Sequence, residues 1–383
     1  MQASASARCA LALVVLMLMS SMLGLTPVAQ VAQPSDAVLT SEMQPAGARA
    51  LTVWSGTVMV NGDYTVASGD ELRILAGADI QMGPGVRIYV DGKLTAHGTA
   101  AAPVTVSVQQ AFIWHDGFQF NATSRGRGSH LQNMTISDAQ YGITIYDSNP
   151  VIDDLYLDNP DYVGIDMFDS ASPVIRRLTV QGGGQDVHGA ETHWRYGIGL
   201  SVGAGSAPFV QGANFDNLIT RAVSYWRGSG GVLRDLNISN ISGATLNISA
   251  GIYVDDSLPL FEDVSITRSD HGVYIMHTMD NMTTRPVFRR ITIEDSQFRG
   301  VKIEKEDHWN FTTYMMARFH DLEVSGTGGP GARTPGLATA AIELNTSGGW
   351  FENVNIHDNP VNGIKLYMTD PSTTFVNTTI TSS

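Results

Sequence analysis

The chain of 383 residues has a single cysteine, Cys9. No internal disulfide can form, and thiolate metal sites and iron–sulfur clusters, which need several sulfurs, are excluded. Charge is sparse at 16% of residues, and basic charge is sparser still. Lys and Arg number 23 against 37 Asp and Glu, a formal net charge of −14. A chain-wide acidic excess repels phosphate backbones and argues against a nucleic-acid partner. Beyond the N-terminal segment no stretch has the roughly 18 apolar residues that a membrane-spanning helix needs. There is no G-X-Y period despite 39 Gly and 15 Pro, which excludes a collagen-like helix. The chain is 43% hydrophobic, enough to bury a core and too much for global disorder. No Walker, Rossmann or serine-nucleophile signature stands in a suitable context.

Arg8 is followed by an apolar run from Cys9 to about Leu25. A positive flank before such a run reads as a secretory signal, residues 1–29, with an uncleaved N-terminal anchor as the alternative. Residues 30–50, rich in Ser, Ala, Pro and Gln, read as a flexible leader. Nine N-x-S/T sequons follow, at Asn121, Asn133, Asn237, Asn240, Asn247, Asn281, Asn310, Asn345 and Asn377. They are glycosylation candidates on an exported protein. The plainer reading is that Asn-apolar-Thr is how a repeat is built.

A repeat does organise the chain from residue 117 onward. One phrase is a small residue, a branched apolar one, any residue, then a large apolar one. It occurs at Gly117, Gly142 (GITI), Gly164 (GIDM), Gly197 (GIGL), Ala222, Gly251, Gly272, Gly300, Ala341 and Gly363. A second phrase lies between the copies, as in VIDDLYL from Val151, VIRRLTV from Val174, LFEDVSI from Leu260 and VFRRITI from Val287. Each phrase alternates with period two and is rich in Val, Ile, Thr and aromatics, so each is a strand with one buried face. The closest copies are 21 or 22 residues apart. Short strands and tight corners at that period make one coil of a parallel β-solenoid, whose core forms only when coils stack. The position before the last apolar pair of the second phrase is Asn133, Asp154, Asp235, Asp263, Asp321, Asn353 and Asn377, short side chains suited to a corner. Residues 51–110 read as N-terminal capping coils, with Trp54 closing the stack, and 117–383 as repeat coils. The chain stops near Ile380 at a repeat strand, so the expectation is a stacking partner or a further segment at that end.

These phrases, and the segment ELRILAGADIQMGPGVRIYVDGKLTAHGTAAAPVTV, resemble parallel β-helix repeats of the pectate-lyase-like superfamily. The resemblance covers about residues 51–383 and implies an all-β, single-stranded right-handed parallel β-helix of about ten to thirteen coils. It is specific for fold and poor for function, since the superfamily spans lyases, glycosidases, epimerases, adhesins and binding modules.

If Ile143 and Ile145 point inward, residues between and beside them point outward. The outward rungs of the first phrase hold Tyr146, Asp166, Phe168, Trp226, Tyr253, Tyr274 and Arg299, a richer set than the small polar residues outside the second phrase. Long insertions after Val180, Ile238, Ile275, Ile303 and Val324 flank this face on both sides. Aromatic faces stack on sugar rings and polar groups pair with hydroxyls, so an extended polysaccharide is the expected partner. The alternatives are a structural or adhesive surface element without a small ligand, and a polysaccharide lyase or glycoside hydrolase. For a hydrolase, Asp255 and Asp256, then His271, then Lys302 follow the order of polygalacturonase elements, although Lys302 stands where Arg is expected and Glu304 where Lys is expected. For a lyase of the pectate type, Asp166, Asp169 and Asp255 are candidate Ca2+ ligands, with Arg221 or Arg299 as base. No other cofactor is expected. Asp186, His188, Glu191 and His193 share one loop and are candidate ligands for Zn2+ or another divalent ion. The plainer reading there is a polar loop.

Overall fold

The computed structural model describes residues 49–110, 113–184, 196–203, 205–243, 249–277, 285–305, 316–329 and 338–381. The signal, the leader up to residue 48, the group Asp186, His188, Glu191 and His193, and the sequons at Asn247, Asn281 and Asn310 lie outside the described residues.

The described residues form strands throughout, with one 3-10 turn at Ala122–Ser124. Strands pair in parallel into a sixteen-stranded and a twelve-stranded sheet, each running in chain order. The first phrase builds the twelve-stranded sheet, as in Tyr141–Tyr146 and Ala250–Asp255. The second builds the other, as in Val151–Asp158 and Leu260–Ser269. From His130 onward each coil gives one strand to each sheet, the parallel β-helix expected.

The second-phrase strand carries a corner within it. Along Val151–Asp158 the inward residues are Ile152, Leu155 and Leu157, so strict alternation slips at Asp154. That position has a left-handed backbone in coil after coil: φ is 46° at Asn133, 55° at Asp154, 57° at Asp235 and Asp263, 58° at Asp321 and 56° at Asn353. Asn and Asp tolerate this region better than other side chains because they bond locally. In the first coils the two legs are separate strands. Lys93–His97 pairs with the first half of His130–Ser137 and Val104–Val108 with the second half. Arg177 and Arg290 occupy the same corner at φ 54°. Each forks onto the aspartate one coil earlier: Arg177 donates to Asp154 at 2.5 and 2.8 Å, and Arg290 to Asp263 at 2.6 and 2.9 Å. Such bidentate pairing offsets part of the backbone cost.

The core is a set of columns. In the sixteen-stranded sheet Leu233, Phe261, Phe288, Phe319, Phe351 and Phe375 stand in register. The five phenylalanine rings stack nearly parallel, with centroids 4.5–5.2 Å apart and interplanar angles of 3–6°. The small residue of the first phrase has an equally direct cause. A Cβ at Gly272 would lie 2.5 Å from both the Gly300 carbonyl oxygen and Ile293 Cγ2. A large side chain of the second phrase occupies that volume.

One copy differs from the expected alignment. Ile165 pairs with Leu200, and Asp166 with Ser201. The working phrase is thus Gly199-Leu200-Ser201-Val202, two residues later than GIGL from Gly197. At Gly199 a Cβ would meet the Phe215 ring at 2.5 Å and the Ala222 carbonyl at 2.7 Å, so only Gly199 fits the small column. The rungs shift with it: Ser201 replaces Gly199 beside Asp166, and Ile198 replaces Tyr196 beside Val163. At the N-terminal end Trp54 is 4% exposed and packs on Tyr64 at 4.9 Å.

Phe288→Ala should cost about 3–5 kcal/mol, because it opens a cavity and removes two ring contacts. Urea denaturation of the purified variant checks this; a loss below about 1 kcal/mol would mean that the column is not load-sharing. A second outcome concerns pH. His115 is fully buried, with Nδ1 accepting from Gly117 N at 2.9 Å and Nε2 3.1 Å from the Ser137 carbonyl oxygen. Burial pushes its pKa down from 6.5 to about 4, against the opposing Ser137 bond. Between those values the unfolded chain binds more protons, so stability is complete above pH 6.5 and falls as pH drops towards 4. The loss is on the order of 3 kcal/mol. In His115→Gln the denaturation midpoint should be flatter across that window; an unchanged slope would contradict the assignment.

Candidate functional site

The outer face of the twelve-stranded sheet carries three rungs. The central one runs Gln119, Thr144, Asp166, Ser201, Ser224, Tyr253, Tyr274, Lys302, Glu343 and Lys365. Its chemistry changes along the stack.

In the early coils the floor is polar and buried: Thr144 is 4% exposed, Asp166 3% and Ser201 8%. Aromatic pairs stand at either end of the strands. Tyr146 and Phe168 stack at 5.0 Å and 16°, both half-buried. At the other end Tyr141 stacks on Tyr162 at 5.4 Å and Tyr162 packs tilted against Tyr196 at 4.4 Å, and the last two share a hydroxyl–hydroxyl bond of 3.0 Å. Tyr141 and Tyr146 are five residues apart on one strand, about 16 Å along an extended backbone.

In the middle coils the rung turns inward on itself. Arg221 is 2% exposed, with its guanidinium 3.6 Å from the Tyr253 ring centroid and 4.7 Å from that of Trp226. Tyr253 packs on Trp226 at 5.0 Å and edge-on against Tyr274 at 5.4 Å. Burial lowers the Arg221 pKa to about 10, although Tyr253, Tyr274 and Asp255 act in the opposite direction. The sequence led us to expect Tyr253 and Tyr274 as open contact residues. They are 3% and 2% exposed, because outward direction on a strand does not guarantee solvent. Trp226 remains half-buried and is the accessible edge of this cluster.

In the late coils charges alternate. Lys302 Nζ donates to Glu304 at 2.8 Å and lies 4.4 Å from the Tyr274 ring centroid. Tyr274 also donates its hydroxyl to Glu304. Glu343 receives Arg299 at 3.2 Å, Lys365 at 3.5 Å and the Thr339 hydroxyl. Burial raises the Glu343 pKa, but Thr339 and the two cations outweigh it and hold the carboxyl below its ordinary value. Glu304 pairs in register with Asn345 and Glu343 with Lys302. The two glutamates are therefore diagonal neighbours, about 7–8 Å apart. Glu343 and Lys365 carry no assigned role in the sequence reading; the sign alternation along their rung is the signal that marks them.

The polygalacturonase-like set does not assemble. His271 stands beside Ala250 and Arg299, whereas Asp255 stands beside Met276, five positions further along the strand and about 16 Å away. Asp256 forms the corner at φ 43° and is fully buried. His271 packs on Tyr274 and Phe298 at 5.4 and 5.5 Å. Asp166 and Asp255 are separated by three strand spacings, about 14 Å. Among the described residues no three His, Cys, Asp or Glu side chains are grouped to hold a metal ion.

The described sequons serve the solenoid. Asn133, Asn240 and Asn377 take left-handed positions at φ 46°, 56° and 50°. Their side-chain amides donate to Gly98, Asp216 and Asn353 respectively. Asn121 donates to Asp91 at 2.9 Å, and Asn237 to Asn214 at 3.0 Å. Asn345 accepts from Thr346 at 3.2 Å.

The family described as a right handed beta helix region matches residues 114–285. Among curated proteins no match is found. Among solved structures, the catalytic domain of a GH87 alpha-1,3-glucanase in complex with tetrasaccharides superposes with a TM-score of 0.54 at 12% identity, over 85% of this chain and 68% of that one. The periplasmic alginate epimerase AlgG gives a TM-score of 0.51 at 12% identity, over 84% of this chain and 85% of that one. At such identities the likeness is one of architecture. The chain is a right-handed parallel β-helix.

Proposed function

We propose that this protein is exported to the cell surface or beyond and binds an extended polysaccharide across the outer face of the twelve-stranded sheet. The observation that carries the reading is the half-buried, stacked pair Tyr146–Phe168, which stands at the strand ends beside a floor whose Thr144, Asp166 and Ser201 are themselves buried. Accessible aromatic rings suit a sugar, which offers an apolar ring face. Trp226 extends the aromatic row along the same rung position, and the Lys302–Glu304 and Arg299–Glu343 pairs add polar partners further on. The two superposing structures support the carbohydrate class, one being an alginate epimerase and the other a glucanase holding tetrasaccharides. Export rests on Arg8 and the apolar run after it.

A second reading is cleavage of the bound chain. Its specific support is the diagonal pair Glu304 and Glu343, because glycosidases place two carboxyl groups several ångströms apart. Binding ranks first because both carboxylates are engaged by cations.

Affinity electrophoresis against a panel of neutral and acidic polysaccharides tests the binding face. At least one should retard the protein, with retention weakened roughly tenfold by Phe168→Ala and by Trp226→Ala, equivalent to about 1.4 kcal/mol each. Retention unchanged in both variants removes this face, and no retention on any polysaccharide favours the structural or adhesive role. Release of reducing ends or unsaturated uronides, abolished by Glu343→Gln, would move the second reading ahead of the first.

A further inference from the structure

Against its acidic average, the chain concentrates positive charge in one place. A cavity of about 500 Å3 lies where the first coils turn from the twelve-stranded to the sixteen-stranded sheet. Its lining includes Arg49, Lys93, Arg125 and Arg127 with two carboxylates, Asp70 and Glu71. In a chain of net charge −14, an excess of cations around one concavity calls for a local cause.

The ion pairs show which cations are already spoken for. Glu71 is shared by Arg73 at 3.0 Å, Lys93 at 3.3 Å and the Thr95 hydroxyl at 3.2 Å. Asp70 accepts from the Ala50 backbone N–H at 3.0 Å. Arg125 reaches Asp147, outside the lining, and the Ser170 carbonyl at 3.4 Å. Nearby Asp91 is occupied by Asn121 at 2.9 Å and Thr123 at 2.8 Å. Arg127 meets neutral acceptors only: its Nε donates to the Thr123 carbonyl at 3.0 Å and Nη2 to the Ser68 hydroxyl at 3.1 Å. Those bonds fix the guanidinium without cancelling its charge. Arg49 forms no ion pair among the described residues. The loop that presents Arg125 and Arg127 turns at Gly126 and Gly128, whose φ values of 71° and 74° are left-handed. Two guanidiniums thus face one concavity without ion pairs, against one lining carboxylate, Asp70, that also lacks one, so the lining stays net positive. A guanidinium pairs oxyanions with fixed fork geometry, and two of them match a doubly charged group.

We propose that this cavity binds a divalent oxyanion, a sulfate or phosphate group, through Arg49 and Arg127, with Lys93 and Arg125 at its margin. The group could arrive as the free ion or as an ester on a polysaccharide, and the chemistry recognised is the same. The site lies at the same corner as the Tyr146 and Phe168 ends of their strands, where Arg125 reaches Asp147 and Ser170, but it rests on the cations alone and does not depend on the glycan reading.

Isothermal titration at fixed ionic strength, set with sodium chloride, tests it with inorganic sulfate, inorganic phosphate, dextran sulfate and unsulfated dextran as probes. Saturable binding of an inorganic oxyanion, weakened at least about tenfold in Arg49→Gln and in Arg127→Gln, supports the site and assigns it to the free ion. Binding of dextran sulfate alone, with the same losses and none for dextran, supports it and assigns it to the ester. Arg318→Gln, an exposed arginine on the sixteen-stranded sheet, should leave affinity unchanged and controls for loss of a charge. No binding of any oxyanion, or binding that persists in Arg49→Gln and Arg127→Gln, overturns the proposal. All three side chains are exposed, and thermal unfolding of each variant confirms that the coils are intact.

Discussion

Vertical register governs this molecule. Each strand hydrogen-bonds to its equivalent about 4.8 Å above and below, so every side chain has a near copy of its own position as neighbour. Inside, that condition favours shape repetition, which is why phenylalanines pile on phenylalanines from Phe261 to Phe375. At corners it selects one backbone conformation repeatedly, and short polar side chains follow. Outside, it brings like positions within reach of each other, and equal charges there would repel. The sequence answers with alternating signs: Arg177 on Asp154, Arg290 on Asp263, and Glu262 between Arg234 and Arg289. The Arg299, Glu343 and Lys365 group on the other sheet follows the same rule.

Much of this architecture was legible in the residues. Period-two phrases recurring at 21 or 22 positions leave little room for anything except stacked short strands, and the Asn/Asp corner column identifies where the chain bends. The register of one coil was not legible. Gly197 and Gly199 both satisfy the small-residue phrase, and the long insertion before them hides the spacing. The choice is made by the Phe215 ring, which has space for a glycine and no more. Arg177 and Arg290 break the corner pattern as single residues, and only their aspartate partners one coil away explain them.

The candidate site was legible in direction but not in depth. Alternation states which side of a strand Tyr253 and Tyr274 occupy; it does not state what lies on that side, and both turn out to be buried around Arg221. Sequence order likewise says nothing of position along a strand. Asp255 and His271 are near in the chain and far apart on the sheet, so a familiar order of catalytic residue types gives no catalytic geometry here. What the fold does bring together are groups from coils more than twenty residues apart: Tyr146 with Phe168, Tyr274 with Glu304, and Arg299 with Glu343. A polar, aromatic early surface, a packed middle and a charged late surface follow one another along a single rung. The basic cavity lies beside the earliest coils, at the corner where Tyr146 and Phe168 end their strands.

The most direct test of the register is a pair of double-cysteine variants with Cys9→Ser. Asn214 and Asn237 are exposed and paired in register, and adjacent parallel strands place Cα atoms about 4.8 Å apart, within reach of a disulfide. Asn214→Cys with Asn237→Cys should cross-link under mild oxidation. Asn214→Cys with Ser239→Cys, offset by two residues on the same strands, should not. Efficient cross-linking of the offset pair, or none in the aligned pair, would contradict the stacking on which the core, the corners and both proposed sites are built.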